Sequence, residues 1–158
     1  MKRSFQVGLS FGTTSGIITT LALMIGLYSG TNSRLAVIGG VLTIAIADSL
    51  SDSMGIHVTQ ESENRHTDKE IWESTFCTFI CKFIIASSFI VPVLLFELKN
   101  AIYIGIIWGL LLLSLLSYYI SRIRRTKAWK VVTEHIVIAI FVIILSYYVG
   151  YWINILFG

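Results

Sequence analysis

The residues with most potential for chemistry lie in the second apolar stretch of the chain. Asp48 and Asp52 are four residues apart, so on a helix their carboxylates share one face. Met54, His57 and Glu61 follow on a second face, which is turned well away from the first. Carboxylates suit hard cations, whereas a thioether and an imidazole favour softer transition metals. The segment therefore predicts a cation site.

The depth of the two aspartates in the membrane strengthens this interpretation. The apolar run Leu35–Ala47 has only 13 residues, whereas a helix needs about 20 to cross a bilayer. The helix must therefore continue through Asp48 and Asp52. Each charge at that depth costs about 2.5–3.5 kcal/mol on insertion scales, so such residues indicate function. The same face continues to Gly55 and Thr59, and this row suits a hydrated cation that moves along the helix.

A structural role for the aspartates is the main alternative. Lys82 lies about nine residues into the third apolar stretch, roughly level with Asp48. This shared depth predicts an ion pair between the two side chains. Such a pair is compatible with transport, because proton-coupled sites use similar pairs. Cys77 and Cys81 lie close to Lys82 in the sequence and could be soft metal ligands. We favour a packing role for them, because free cysteine behaves as a small buried hydrophobe. Met54, taken alone, also packs more often than it ligates.

Membrane-spanning helices must position these residues. Of the 158 residues 55% are hydrophobic and 13% charged, about half the charge of a typical soluble domain. Lipid admits only helices and closed barrels, and the apolar runs are too long and uniform for barrel strands. The sequence thus predicts an all-α membrane protein, a bundle of about five transmembrane helices in a single domain, 1–158. The predicted spans are about 5–29, 35–58, 73–96, 101–120 and 132–157.

Lysine and arginine residues are distributed unequally between the loops. One side of the membrane receives nine of them, counting the N-terminus, the segment 59–72 and the loop 122–130, and the other side receives Arg34 and Lys99. The positive-inside rule therefore predicts a multi-pass protein with a cytoplasmic N-terminus and an external C-terminus. The short segment 59–72, which carries Glu61 and Glu63, is then cytoplasmic. The basic loop is a topology signal, with anionic lipid binding as a secondary possibility.

Glycines recur every four residues in the first span, at Gly8, Gly12 and Gly16. Small residues at this spacing allow two helix backbones to approach closely in lipid, within one chain or between two. No Ser-His-Asp arrangement, phosphate-binding glycine loop or zinc motif of the His-Glu-x-x-His kind is present. We therefore expect neither an enzyme nor a bound cofactor, and no nucleic-acid partner.

Three short motifs resemble the vacuolar iron transporter family. Gly8–Gly12, which reads Gly-Leu-Ser-Phe-Gly, is similar to the family's Gly-x-Ser-Asp-Gly in its first helix. Ser53-Met54-Gly55 resembles the Ser-Met motif of its second helix, and Phe89–Pro92 resembles the end of its third helix. The number of spans, their orientation and the loop lengths also agree. The resemblance implies a metal ligand at Met54 and a homodimer in which the first two helices line a pore.

The chain departs from that family at two places. The family's pore aspartate in the first helix corresponds to Phe11, and its long Glu-rich domain is reduced to about residues 59–72. Asp48 and Asp52 would compensate for the first change. Glu61 and Glu63 would belong to the remnant of a segment that gathers metal from the cytoplasm.

We therefore expect a dimeric, proton-coupled membrane transporter of divalent transition-metal cations, with ferrous iron or manganese as the substrate. The expected metal-binding residues are Asp48, Asp52, Met54, His57, Glu61 and Glu63. Two alternatives stay open. The first is a non-transporting assembly or lipid-binding membrane protein, which Phe11 favours. The second is a transporter of another cation or solute.

Overall fold

Five long helices account for nearly the whole chain in the computed structural model, which describes residues 3–158. Each is long and apolar enough to cross a membrane, which confirms the predicted all-α bundle of five spans. The helices are α1 Arg3–Thr31, α2 Arg34–Glu63, α3 Asp68–Leu95, α4 Leu98–Arg124 and α5 Ala128–Phe157. We call the end of the bundle at which α1, α3 and α5 begin the basic end, and the opposite end the far end.

The helices extend beyond the apolar runs because polar residues cap them. α3 begins with a capping box: the Thr67 hydroxyl accepts a hydrogen bond from the Glu70 backbone N–H, and the Glu70 carboxylate accepts one from the Thr67 backbone N–H. Asn64, with a left-handed φ of 50°, ends α2. As a result, most of the polar segment 59–72 is helical, and only a short turn joins α2 to α3.

The glycines of the first span make a close helix contact, and they make it within the chain. A Cβ atom at Gly8 would lie 2.7 Å from the carbonyl oxygen of Ser74, and one at Gly12 would lie 2.5 Å from that of Thr78. A Cβ atom at Gly16 would lie 3.3 Å from the Cα of Lys82. The predicted close-packing face therefore joins α1 to α3, and it holds the backbone of α3 beside Lys82 against α1.

Two irregularities shape α2 and α3. Residues Ile44–Asp48 of α2 form a π-helical turn, which is wider than an α-turn. In α3 the regular helix is interrupted between Ser88 and Ile90. Pro92 explains this break, because its ring lacks an N–H and clashes with the carbonyl four residues earlier.

The interior of the bundle differs between its two halves. At the far end the contacts of α1, α2 and α3 are apolar and include Leu21, Met24, Val41 and Phe89, all almost fully buried. Towards the basic end the buried side chains of these helices are mainly polar. They are Ser4, Ser49, Ser53, Gln60, Ser74, Thr75, Thr78 and Lys82. The predicted site lies in this polar half, near its boundary with the apolar half.

Candidate functional site

Lys82 occupies the centre of the bundle with no exposed side-chain surface, near the middle of the 28-residue α3. Its ammonium nitrogen Nζ donates to Asp52 Oδ2 at 2.6 Å and to Ser15 Oγ at 3.0 Å. It also lies 2.5 Å from Asp48 Oδ2. The predicted ion pair with Asp48 is therefore present, and Asp52 joins it. We call Ser15, Asp48, Asp52 and Lys82 the Lys82 cluster.

The two aspartates are held differently. Asp52 accepts from both Lys82 and Ser15, with Ser15 Oγ at 2.5 Å from Oδ2, and its side chain is 23% exposed. Asp48 forms an ion pair with the ammonium of Lys82, but the angle between the two groups is unsuitable for a hydrogen bond, and Asp48 Oδ2 has no hydrogen-bond partner. The Asp48 side chain is 34% exposed. Asp52 is thus the fixed carboxylate of the cluster, and Asp48 is the more open one.

The sequence of α2 explains how both carboxylates reach one ammonium. The buried positions of α2 recur every four residues, at Val37, Val41, Ala45, Ser49 and Ser53. On an ideal helix of 3.6 residues per turn, a four-residue repeat drifts around the axis by about 40° per step. The wider π turn at Ile44–Asp48 reduces this drift. It therefore keeps the buried face of α2 directed at α1 and α3 along the length of the cluster.

The charge of the cluster is not balanced. Two ionised carboxylates and one ammonium give it a net charge of −1, in a part of the chain that crosses the apolar layer. Removing such charges from water costs several kcal/mol per ion unless close pairing offsets the cost. Thr20, about one helical turn beyond Ser15 towards the far end, is fully buried and its hydroxyl has no hydrogen-bond partner. The polar interior therefore extends slightly past the cluster on α1.

A second group of polar contacts lies nearer the basic end. His57 Nδ1 is 3.1 Å from Thr75 Oγ1, and the imidazole packs edge-on against the Trp72 ring with centroids 4.7 Å apart. Ser74 donates to the side-chain oxygen of the buried Gln60. His57 is thus engaged with α3 by contacts that are unrelated to the two aspartates.

The remaining predicted ligands lie apart from the Lys82 cluster. The Met54 side chain is 52% exposed on the outer surface of α2, and Glu61 is also exposed. Glu63 pairs with His66 at 3.2 Å in the exposed end of the helix. Within residues 3–158, no three His, Cys, Asp or Glu side chains are close enough to hold a metal ion together. The structure of one chain therefore brings together Asp48 and Asp52 alone among the six predicted ligands.

Sequence reasoning missed Ser15 as a member of the cluster. Ser15 is adjacent to Gly16, the last residue of the glycine series in α1, so it lies at the edge of the face that approaches α3. A helix contact that tight brings short polar side chains of α1 within reach of Lys82. Phe11, which corresponds to the aspartate of the resembling family, is instead 42% exposed.

Sequence reasoning also missed a surface of α2. Small residues recur every four positions along its whole length, and all of them are exposed. They are Gly39, Thr43, Ala47, Ser51, Gly55 and Thr59. A Cβ atom added at Gly39 or Gly55 would meet no atom within 4 Å, so no contact within the chain requires glycine at these positions. We call these six residues the small-residue face. Gly55 and Thr59, predicted to share a stripe with the aspartates, lie on it.

In comparisons with known proteins, no family model, curated protein or solved structure matches this chain. What the chain can do must be judged from the Lys82 cluster and the surfaces around it.

Proposed function

We propose that the chain is a subunit of a membrane transporter for divalent metal cations, exchanged for protons at the Lys82 cluster. The observation that carries the proposal is a buried ammonium held by two carboxylates in the middle of membrane-spanning helices. Ionisable groups at this depth are expensive, and they mark ion pathways and proton relays in membrane proteins.

The donor atoms of the cluster indicate the class of cation. Ser15, Asp48 and Asp52 offer only oxygen, which suits hard ions such as manganese better than soft ones. Manganese and ferrous iron are the substrates that the resemblance implies, and the oxygen donors favour manganese of the two. Met54 and His57 would contribute to selectivity only if a second chain brought them to the path.

The resident ammonium supports a mechanism of exchange. Lys82 occupies the position from which a cation would contact both carboxylates. A divalent cation that binds there must displace the ammonium or replace its charge. If Lys82 releases its proton as the cation binds, the cluster gains one charge instead of two, and one proton leaves for each cation. The reverse step, in which Lys82 regains a proton, would expel the cation.

A homodimer packed through the small-residue face of α2 completes this proposal. Rows of small residues allow close approach of helices in lipid, and Gly39 and Gly55 have no such role within the chain. The partly open Asp48 carboxylate lies on the same helix, and a second copy against α2 would shield it from lipid. The charge distribution predicts that the basic end faces the cytoplasm, so the polar half of the bundle would be the cytoplasmic access route.

Flux into liposomes tests the proposal. Purified protein is reconstituted, and uptake of Mn²⁺, Fe²⁺ and Ca²⁺ is followed with an entrapped indicator, together with internal pH. We expect Mn²⁺ uptake with proton movement in the opposite direction. Asp52→Asn should reduce uptake at least about tenfold, because a neutral amide is a poorer ligand for a hard cation. Asp48→Asn should also reduce it.

Glu97→Gln serves as the matched control. Glu97 is exposed at the far end, so the substitution removes one carboxylate without touching the cluster. It should transport like the parent. Parent-like flux in both Asp48→Asn and Asp52→Asn would refute the mechanism. Absence of flux for all three cations in folded parent protein would instead favour a non-transporting protein in which the Lys82 cluster is structural.

A further inference from the structure

We propose that a cavity between α1 and α4 at the basic end binds the headgroup of an anionic phospholipid. The cavity has a volume of about 300 Å³. Two arginines border it, together with an amide, a hydroxyl and three aliphatic side chains. These residues are Arg3, Arg124, Gln6, Ser10, Val7, Ile120 and Ile123. The site is separate from the Lys82 cluster, and the inference does not depend on the proposed function.

The position of the cavity matches the headgroup layer of a bilayer. α1 begins at Arg3 and α4 ends at Arg124, so both guanidinium groups stand where membrane-spanning helices emerge at the same end. The aliphatic wall formed by Ile120 and Ile123 lies towards the membrane interior along α4, with Ile123 itself 44% exposed. Arginine at the rim and aliphatic carbon below reproduce the order of a phospholipid, with the phosphate above the acyl chains.

The lining of this cavity is positively charged, whereas the neighbouring cavity that Arg3 also borders contains Glu63 and Glu70. No acidic side chain lines the cavity. Neither Arg3 nor Arg124 forms an ion pair with a carboxylate in the part of the chain that the structure describes. Arg125 and Lys127 in the turn after α4, and Lys130 in the first turn of α5, add positive charge without any acidic residue. Basic residues near an anionic membrane surface are attracted to it.

The cavity adds specificity to this general attraction. A guanidinium group can bind a phosphate through two parallel hydrogen bonds, which lysine cannot do. Two guanidinium groups at one cavity, with the Gln6 amide about one helical turn from Arg3, present donors to several phosphate oxygens, and the Ser10 hydroxyl about one turn further along α1 can reach an ester oxygen. The aliphatic wall offers nothing to inorganic phosphate but can contact acyl chains. We therefore assign the occupant as a phospholipid and not as a free phosphate ion.

Lipid retention tests the assignment. The full chain is purified in detergent with equal amounts of phosphatidylglycerol and phosphatidylcholine, and retained lipid is counted by native mass spectrometry. We expect selective retention of phosphatidylglycerol that excess inorganic phosphate does not displace. Arg124→Gln should reduce retention about tenfold, the effect of losing roughly one strong charge-assisted contact. Arg124→Lys should give an intermediate value, because it keeps the charge but loses the planar fork.

Lys130→Gln is the matched control, since Lys130 lies in the first turn of α5 at the same end of the bundle and does not border the cavity, so the variant loses the same charge elsewhere. It should change retention less than about twofold, as expected for an exposed surface charge. Equal losses in Arg124→Gln and Lys130→Gln would overturn the proposal in favour of unspecific surface attraction. Displacement by inorganic phosphate, or equal retention of the two lipids, would also overturn it. Melting temperatures of all variants are compared to show that each is folded.

Discussion

Replacement of Lys82 by methionine is the sharpest test of how the bundle holds its charges. Methionine keeps the length of the side chain but removes the ammonium from between Asp48 and Asp52. The two carboxylates then face each other with no cation in the described structure to separate them. Removal of one partner from a buried ion pair destabilises a protein by about 3–5 kcal/mol. With about 2–4 °C per kcal/mol for a chain of this size, the melting temperature should fall by about 6–20 °C.

The geometry also ranks the two aspartates. Asp52→Asn weakens the hydrogen bonds that Asp52 accepts from Lys82 and Ser15, but the amide oxygen can still accept them, so the cost should be about 1.5–3 kcal/mol in total. Asp48→Asn removes an ion pair that lacks hydrogen-bond geometry and is one-third exposed, so the cost should be about 1 kcal/mol or less. The expected order of destabilisation is Lys82→Met first, Asp52→Asn second and Asp48→Asn third.

Combining the three substitutions separates charge from packing. Buried ion networks replaced as a whole by neutral groups are often as stable as the original. The triple variant with Lys82→Met, Asp48→Asn and Asp52→Asn should therefore recover most of the stability that Lys82→Met alone loses. The measurement is the fraction of monodisperse protein left after heating, followed by size-exclusion chromatography. A Lys82→Met protein that melts with the parent would refute the reasoning, and so would a triple variant less stable than Lys82→Met.

Two further predictions concern topology and helix packing. Single cysteines introduced at positions 32, 67 and 126 can be labelled with an impermeant reagent. The charge bias predicts that Asn32 lies outside and that Thr67 and Thr126 lie inside. Finding Asn32 and Thr126 on the same side would overturn this topology. Gly12→Leu should prevent folding, because its Cβ would meet the Thr78 carbonyl at 2.5 Å, whereas Gly55→Leu should fold but lose the dimer. Light scattering of the purified proteins in detergent distinguishes them, and a dimeric Gly55→Leu protein would contradict the role proposed for the small-residue face.

The number and type of the helices could be predicted from the sequence because lipid leaves few choices. A long and mostly apolar segment in lipid has to be helical, and the chain contains five helices that are long and apolar enough to cross a membrane. The helix ends were less predictable, because they depend on caps and not on hydropathy. Thr67 and Glu70 extend α3 well into a segment whose composition resembles a loop. The π turn of α2 has no simple signature in the sequence, since it arises from how α2 packs against its neighbours.

The candidate site was predictable only where a single helix determines it. The spacing of Asp48 and Asp52 fixes their shared face, and the matching depth of Lys82 suggested the ion pair that the structure contains. Ser15 depends on a contact between α1 and α3, which a pattern within one helix cannot specify. The same applies to His57, because its partners Thr75 and Trp72 belong to another helix.

The close contact between α1 and α3 links the fold to the chemistry of the site. Gly16 allows the backbone of α3 to approach α1 beside Lys82, and the ammonium there contacts Ser15 of α1 and both carboxylates of α2. An aspartate at the position of Ser15 would add a third negative charge; the serine hydroxyl adds donors and acceptors without charge. Since Lys82 already neutralises one carboxylate, any cation that enters this cluster must compete with a resident positive charge. If a cation binds there, the packing requires it to exchange with this resident charge, as the proposed proton-coupled transport would need.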